Sequence, residues 1–261
     1  MEFFSKLLNL PDVASEHGPK LDQFIIYIHL LMGVLFVGWL GYFLFAVFRF
    51  RRSANPKADY VGAKSHFSSY AEVGVAMIEA LLLLGFAVPL WAKAVEEFPT
   101  KKGDPKTDPI EINIMGQQFA WNAHYSGPDN QWGKQDIKFA SATNPFGVDP
   151  SDPGAKDDVL CLSREPFYVP LNREVICRVS SMDVIHCFKL PRMRVTQDCI
   201  PGMTFPVHFK ATKSGDYMII CAQLCGNLHS TMKGDFKVVT DAEYAEWYAK
   251  KAASGGSQSF E

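Results

Sequence analysis

Two long apolar runs near the N-terminus constrain this chain most. Phe24 to Phe48 is almost wholly apolar, and His29 is its only residue that can carry charge near neutral pH. Val73 to Trp91 is the second run, interrupted only by Glu79, with Glu72 at its start and Pro89 near its end. At about 1.5 Å of helical rise per residue, each can cross a hydrocarbon core of about 30 Å. Trp39, Tyr42 and Trp91 suit interfacial anchors. The connection carries Arg49, Arg51, Arg52, Lys57 and Lys64 against Asp59. Positive charge marks the cytoplasmic side, so both termini, and everything after Trp91, are expected on the periplasmic face of a bacterial inner membrane. A buried helical pair in a soluble protein would not need these basic flanks. Met1 to Leu10 has no basic leader and no small-residue cleavage site, so no cleaved signal peptide is expected.

A carboxyl within a span is costly in lipid. Glu79 therefore reads either as a residue of a proton path or subunit contact, or as a protonated group bonded in a helix interface. His29 reads as a packing histidine.

The rest of the chain is polar and reads as a soluble domain. Lys plus Arg is 26 and Asp plus Glu is 28, a balance that gives no support for nucleic-acid binding, which needs a basic surface. The reading divides the chain into a hairpin segment (1–92, spans about 24–48 and 73–91), an outer domain (93–239) and a C-terminal helix and tail (240–261). Glu111 to Tyr125 alternates like a strand. Residues 126–158 are rich in Gly, Pro, Asp and Asn and read as an insertion. Short strands are expected at Val159–Leu162, Glu174–Ser180, Phe188–Leu190, Thr204–Ala211, Gly215–Ala222 and Gly234–Val239. That spacing suits a β-sandwich or barrel. Thr240 to Glu243 forms a capping box, so a helix is expected over Asp241 to Ala253, and the Gly/Ser tail 254–261 is expected to be disordered.

Six cysteines occur, none in a CxxC pair. Cys161, Cys177, Cys187 and Cys199 read as buried, inert thiols. Cys187 is expected to face away from the neighbouring His186, because strand side chains alternate. Cys221-Ala-Gln-Leu-Cys225-Gly-Asn-Leu-His229-Ser-Thr-Met232 places two thiols, an imidazole and a thioether within a dozen positions. His186 adds a second imidazole. Soft sulfur with imidazole favours copper, and two thiolates suit a bridged pair of ions. Zinc with a Cys₂His₂ set and a Cys221–Cys225 disulfide are the alternatives.

The CxxxCGxxHxxM loop, preceded by Asp183-Val-Ile-His186, resembles the dinuclear copper (CuA) loop of the cytochrome c oxidase subunit II family of haem-copper oxidases, bacterial type. The resemblance extends to the two-helix hairpin, the motif at Met115 to Tyr125, the Asp198-Cys-Ile-Pro-Gly202 segment and the terminal helix. It implies an α+β membrane protein: a two-helix transmembrane hairpin, a cupredoxin-like β-sandwich and a C-terminal helix. It also implies His186 and His229 as imidazole ligands, Cys221 and Cys225 as bridging thiolates, Met232 as thioether and the Gln223 main-chain carbonyl as the last donor. The family carries Glu where this chain has Gln223, which removes a magnesium ligand expected at the junction with subunit I. Phe119 stands where the family's leading Trp accepts electrons, with Trp121 two residues on. Glu72 matches a carboxylate near a proton-channel mouth, and Glu79 falls where many relatives have Pro. Met203 replaces a frequent Arg. Asp183 and Asp198 are expected at the edge facing subunit I.

The function so implied is electron relay. A c-type haem donor docks near Phe119 and Trp121, and electrons pass by CuA to haem in subunit I. There oxygen is reduced to water, coupled to proton translocation. Subunits I and III are the implied partners. The donor is a separate protein, either a soluble cytochrome c or a fixed haem subunit of a quinol-oxidising complex. A copper-delivery protein and a quinol oxidase subunit are the rival readings. The first has no use for Met232, and the second would lack the ligands.

Overall fold

The computed structural model describes residues 2–253, apart from 58, 59, 63, 97, 105, 106, 128–130, 163 and 164. The Gly/Ser tail lies outside the described residues. The chain divides into two units: Met1–Leu10 with Lys20–Glu97, and Pro11–Pro19 with Phe98–Glu261. This differs from a simple cut after residue 92, because the segment Pro11–Pro19 belongs with the outer domain.

In the first unit, α1 (Glu2–Leu7) precedes a long helix, α2 (Gly18–Arg49). The return helix is α3 (Phe67–Leu82), one π turn (Leu83–Ala87) and α4 (Val88–Glu96). Both helices exceed the apolar runs, since a polar end turn adds helix without adding hydrophobicity. Pro89 has no N–H to give the carbonyl of Gly85, and the helix passes this point through the π turn. Large apolar side chains such as Val34, Phe36, Trp39 and Leu81 are exposed, as a lipid-facing hairpin requires. His29 hydrogen-bonds through Nδ1 to the Ile25 carbonyl at 2.8 Å, within its own helix.

The outer unit is a sandwich of two five-stranded sheets. The strands are β1 (Ile110–Gln117), β2 (Ala120–Tyr125), β3 (Val159–Cys161), β4 (Phe167–Pro170), β5 (Glu174–Ser181), β6 (His186–Leu190), β7 (Val195–Cys199), β8 (Phe205–Lys210), β9 (Gly215–Cys221) and β10 (Lys233–Val239). One sheet runs β3-β2-β1-β5-β8 and the other β4-β10-β9-β6-β7. Alternation on β1 buries Ile110, Ile112 and Ile114. Across from them, Phe188, Ile219 and Phe236 fill the core with Trp121 and Phe209.

Three expectations change. The segment Glu111 to Tyr125 is not one strand but a hairpin, β1 and β2, turning at Gln118 and Phe119 with Gln117 opposite Ala120. β1 alternates in burial, whereas β2 is buried on both faces from Trp121 to Tyr125, and a two-residue turn leaves no Gly or Pro signal between them. β4 is too short for a periodic signal and ends in Pro170, which is tolerated where it runs parallel to β10 at the sheet edge. β7 reads as polar, because only Val195 and Cys199 of its five residues are buried.

The insertion 126–158 has its own small core of Phe146 and Val148 against Leu160 of β3. His124 is fully buried beneath it, and its Nε2 lies 2.6 Å from Asp158 Oδ2. The Gly133 N–H donates to the same carboxyl oxygen at 3.0 Å. The helix α5 (Asp241–Ala253) begins with the expected capping box: the Thr240 N–H donates to Glu243 Oε2 at 2.8 Å and the Glu243 N–H to Thr240 Oγ1 at 3.3 Å. Trp247 stacks on Tyr168 at 4.7 Å, which fixes the helix to the sandwich.

Candidate metal centre

Four connections gather at one end of the sandwich: the β1–β2 turn, the β5–β6 loop, the β7–β8 loop and the long β9–β10 loop. Hydrogen bonds tie the first to the second and fourth, and an isolated bridge joins Ser181 to Pro201. The β9–β10 loop leaves at Cys221 and returns at Met232, where the Cys221 N–H donates to the Met232 carbonyl at 3.2 Å. Gly226 has φ 138°, and a Cβ there would lie 2.9 Å from the Phe119 ring, so the sharp turn and the close approach both require glycine.

The loop brings its donors together. Cys221 Sγ and Cys225 Sγ stand 3.7 Å apart, far from a covalent S–S distance of about 2.05 Å. His186 Nδ1 lies 3.8 Å from Cys221 Sγ, and the Gln223 carbonyl oxygen 3.1 Å from the same sulfur. His229 Nδ1 and Met232 Sδ lie 3.6 and 3.7 Å from Cys225 Sγ. His186, Cys221 and Cys225 offer donor atoms within 4.8 Å of one another, and all three are buried. Burial, reinforced by Cys221, pushes the Cys225 thiol up to about 11.

His186 points inward at the start of β6, opposite Cys199, while Cys187 pairs with Asp198 on the other face, as alternation requires. A Cβ at Gly116 would lie 3.1 Å from the His186 ring, so β1 approaches the imidazole closely. His186 Nε2 lies 2.8 Å from Asp183 Oδ1. Burial alone raises the Asp183 carboxyl. Hydrogen bonds from His186 and from the Gln118 and Val184 N–H groups outweigh it and hold the group below its ordinary value. Asp183 is thus engaged with an expected ligand, whereas Asp198 is exposed on β7.

Phe119 is half-buried at the turn. Trp121 is only 2% exposed, and its ring centroid lies 6.1 Å from that of His186. The two aromatics therefore form an outer and an inner layer beside the donors. Glu72 and Glu79 are both exposed on α3, two turns apart and so on one stripe. Sequence reasoning missed Gln118, whose main-chain N–H donates to Asp183 Oδ2 at 2.7 Å and whose side-chain Nε2 donates to the Cys225 carbonyl at 2.6 Å.

Two apolar helices followed by a cupredoxin-like sandwich with a cluster of thiols, imidazoles and a thioether define a membrane protein with a candidate metal site. Residues 110–239 match the family model described as cytochrome C oxidase subunit II, periplasmic domain. The chain belongs to the cytochrome c oxidase subunit II family. The alternative cytochrome c oxidase subunit 2 of Bradyrhizobium diazoefficiens is 27% identical, over 94% of this chain and 84% of that one. The cytochrome c oxidase subunit 2 of Thermostichus vulcanus is 25% identical, over 94% and 79%. The crystallised periplasmic domain of subunit II from Bradyrhizobium japonicum is 32% identical, covering 55% of this chain and 94% of that one with a TM-score of 0.41. The chain is a subunit of an oxidoreductase complex, and its family implies copper.

Proposed function

We propose that this chain accepts electrons from a c-type haem donor and delivers them to haem in subunit I of a cytochrome c oxidase, through a CuA pocket formed by His186, Cys221, Gln223, Cys225, His229 and Met232. The observation that carries this reading is the distribution of donors. Two thiols, two imidazoles, a thioether and a main-chain carbonyl are six donors, two more than a structural zinc ion takes. His186 and the Gln223 carbonyl flank one sulfur, and His229 and Met232 flank the other. When bound, the copper pair supplies a one-electron carrier between the donor haem and the haem of subunit I.

The residues set the conditions for that transfer. His186 and Met232 are 0 and 2% exposed, so the inner side of the pocket is closed to water, while His229 is half-buried and Gln223 exposed at its outer side. A copper-delivery protein would need a more open, labile site. Phe119 offers the donor an aromatic edge, and Trp121 lies behind it. Gln223 keeps the carbonyl donor but presents no carboxylate, so it does not supply the family's magnesium ligand at the subunit I junction. Glu72 and Glu79 serve as proton-path or subunit-contact groups on the α3 surface, and Asp198 as a contact with subunit I. Subunit III and proton translocation follow from the same assembly. The basic connection between the helices supports a pocket on the periplasmic side of an inner membrane.

The test is electron paramagnetic resonance of the copper-loaded full-length chain in detergent. Hyperfine structure from one unpaired electron shared over two copper nuclei is expected. A single-copper spectrum, or zinc retained in its place, overturns the reading.

A further inference from the structure

Gln118 is exposed at a two-residue turn and is no metal donor, yet it touches both ligand-bearing loops. Its main-chain N–H donates to Asp183 Oδ2 at 2.7 Å, and Asp183 Oδ1 holds His186 Nε2 at 2.8 Å. Its side-chain amide donates to the Cys225 carbonyl at 2.6 Å. A Cβ at Gly226 would lie 2.8 Å from Gln118 Nε2, so the turn seats directly on the cysteine loop. Below the turn, the Met182 N–H donates to the Gly116 carbonyl at 3.0 Å, which fixes the β5–β6 loop to the same hairpin.

We propose that Gln118 is a positioning residue that sets the distance between the histidine loop and the cysteine loop of the metal pocket. The β9–β10 loop spans Ala222 to Met232 without regular strand pairing, so its own sequence does not fix where Cys225 stands relative to His186. The hairpin turn supplies that fix from a rigid strand pair. One arm runs through Asp183 to the free nitrogen of the imidazole and sets its orientation. The other arm holds the peptide that carries the second thiol. Groups of this kind orient the ligands and tune the bound metal without touching it. Phe119 follows Gln118 directly and its ring also packs on Gly226, so the turn meets the cysteine loop through both residues.

The inference rests on the copper reading for its metal readouts, but its geometry does not need the metal. Two variants of the full-length chain separate the cases. Gln118→Ala removes the side-chain arm, and Gln118→Glu keeps the volume while turning the donor into an acceptor that faces the Cys225 carbonyl. Copper-loaded chain in detergent is expected to release copper to a chelator about tenfold faster in either variant, the lower end of the usual effect of such groups. A changed hyperfine pattern and a shifted midpoint potential are also expected. Restored retention in Gln118→His, which offers a ring N–H in place of the amide, would support the donor role. In the metal-free chain, amide hydrogen exchange over 222–232 is expected to speed up in Gln118→Glu, while exchange in β1 and β5 stays unchanged. Should the unmodified chain fail to give a two-copper spectrum, the copper reading falls and the exchange measurement still decides the clamp. Unaltered exchange in Gln118→Glu overturns the proposal, as do unchanged copper release and potential in a variant that folds.

Discussion

Cys161 and Cys177 lie in the sandwich core, and burial pushes both thiols up to about 12. An unfolded thiol titrates near about 8.5, so the folded state favours the protonated form. The resulting stability is fully present below the unfolded value and is lost as pH rises through that value toward 12. Thermal melts of the metal-free chain are therefore expected to fall steadily between about pH 9 and 11. The double variant Cys161→Ala, Cys177→Val is expected to flatten that slope without abolishing it. Tyr125 and Tyr244 are also raised by burial and keep part of the alkaline loss. An identical slope in the double variant would show that these thiols do not govern it. At this scale the clustering of the candidate donors was legible, because ligand chemistry restricts residue type and spacing together. Gln118 was not, since its partners are a main-chain carbonyl and a carboxylate far away in sequence. Asp183 was legible only as part of a motif. Its bond to His186 appears once β6 sets the imidazole against β1.

Among the elements, the insertion 126–158 carries the least expected order. Composition read as turns and loop, and its backbone does follow short turns around 137–139 and 153–155. What the pattern could not show is that Phe146 packs on the His124 ring at 5.3 Å and clusters with Val148 and Leu160, because no period marks a three-residue core. The pair formed by His124 and Asp158 anchors it, with side-chain exposures of 0 and 4%. Removing the carboxyl leaves a buried imidazole and the Gly133 N–H without their acceptor. Asp158→Ala is expected to destabilise the chain by about 3 kcal/mol in denaturant unfolding. A change below about 0.5 kcal/mol, typical of a surface position, would contradict that anchoring role. The long helices and α5 were legible for the opposite reason: apolar length and a capping box are strong local signals. β4 and β7 were not, since tertiary pairing creates them.

Taken as a whole molecule, the end that carries the donors is nearly free of charge. Its four connections, 118–119, 182–185, 200–204 and 222–232, contain a single acidic or basic side chain besides His229, and that is Asp183. Met182, Ile185, Met203, Leu224 and Leu228 are all more than 40% exposed there. Such a face suits a partner that stays bound better than one steered in by charge. Oxidation of the donor by the intact oxidase is expected to change by less than about twofold between low and physiological salt, where a steered encounter drops about tenfold or more. A steep salt dependence would favour a diffusing, lysine-rich cytochrome c.

The segment Pro11–Pro19 lies along the end of β8, an edge strand. Ser15 pairs with Ala211, the Glu16 N–H donates to the Lys210 carbonyl, and the Thr212 N–H donates to the Ala14 carbonyl. A stretch that precedes the first long helix thus covers an edge of the sandwich that would otherwise offer unpaired N–H and C=O groups to a second copy. Ser15, 2% exposed and donating through Oγ to the Met193 carbonyl at 2.7 Å, fastens that cover in place. The outer domain is therefore completed by residues far off in sequence, and its strand edge is guarded from within the same chain.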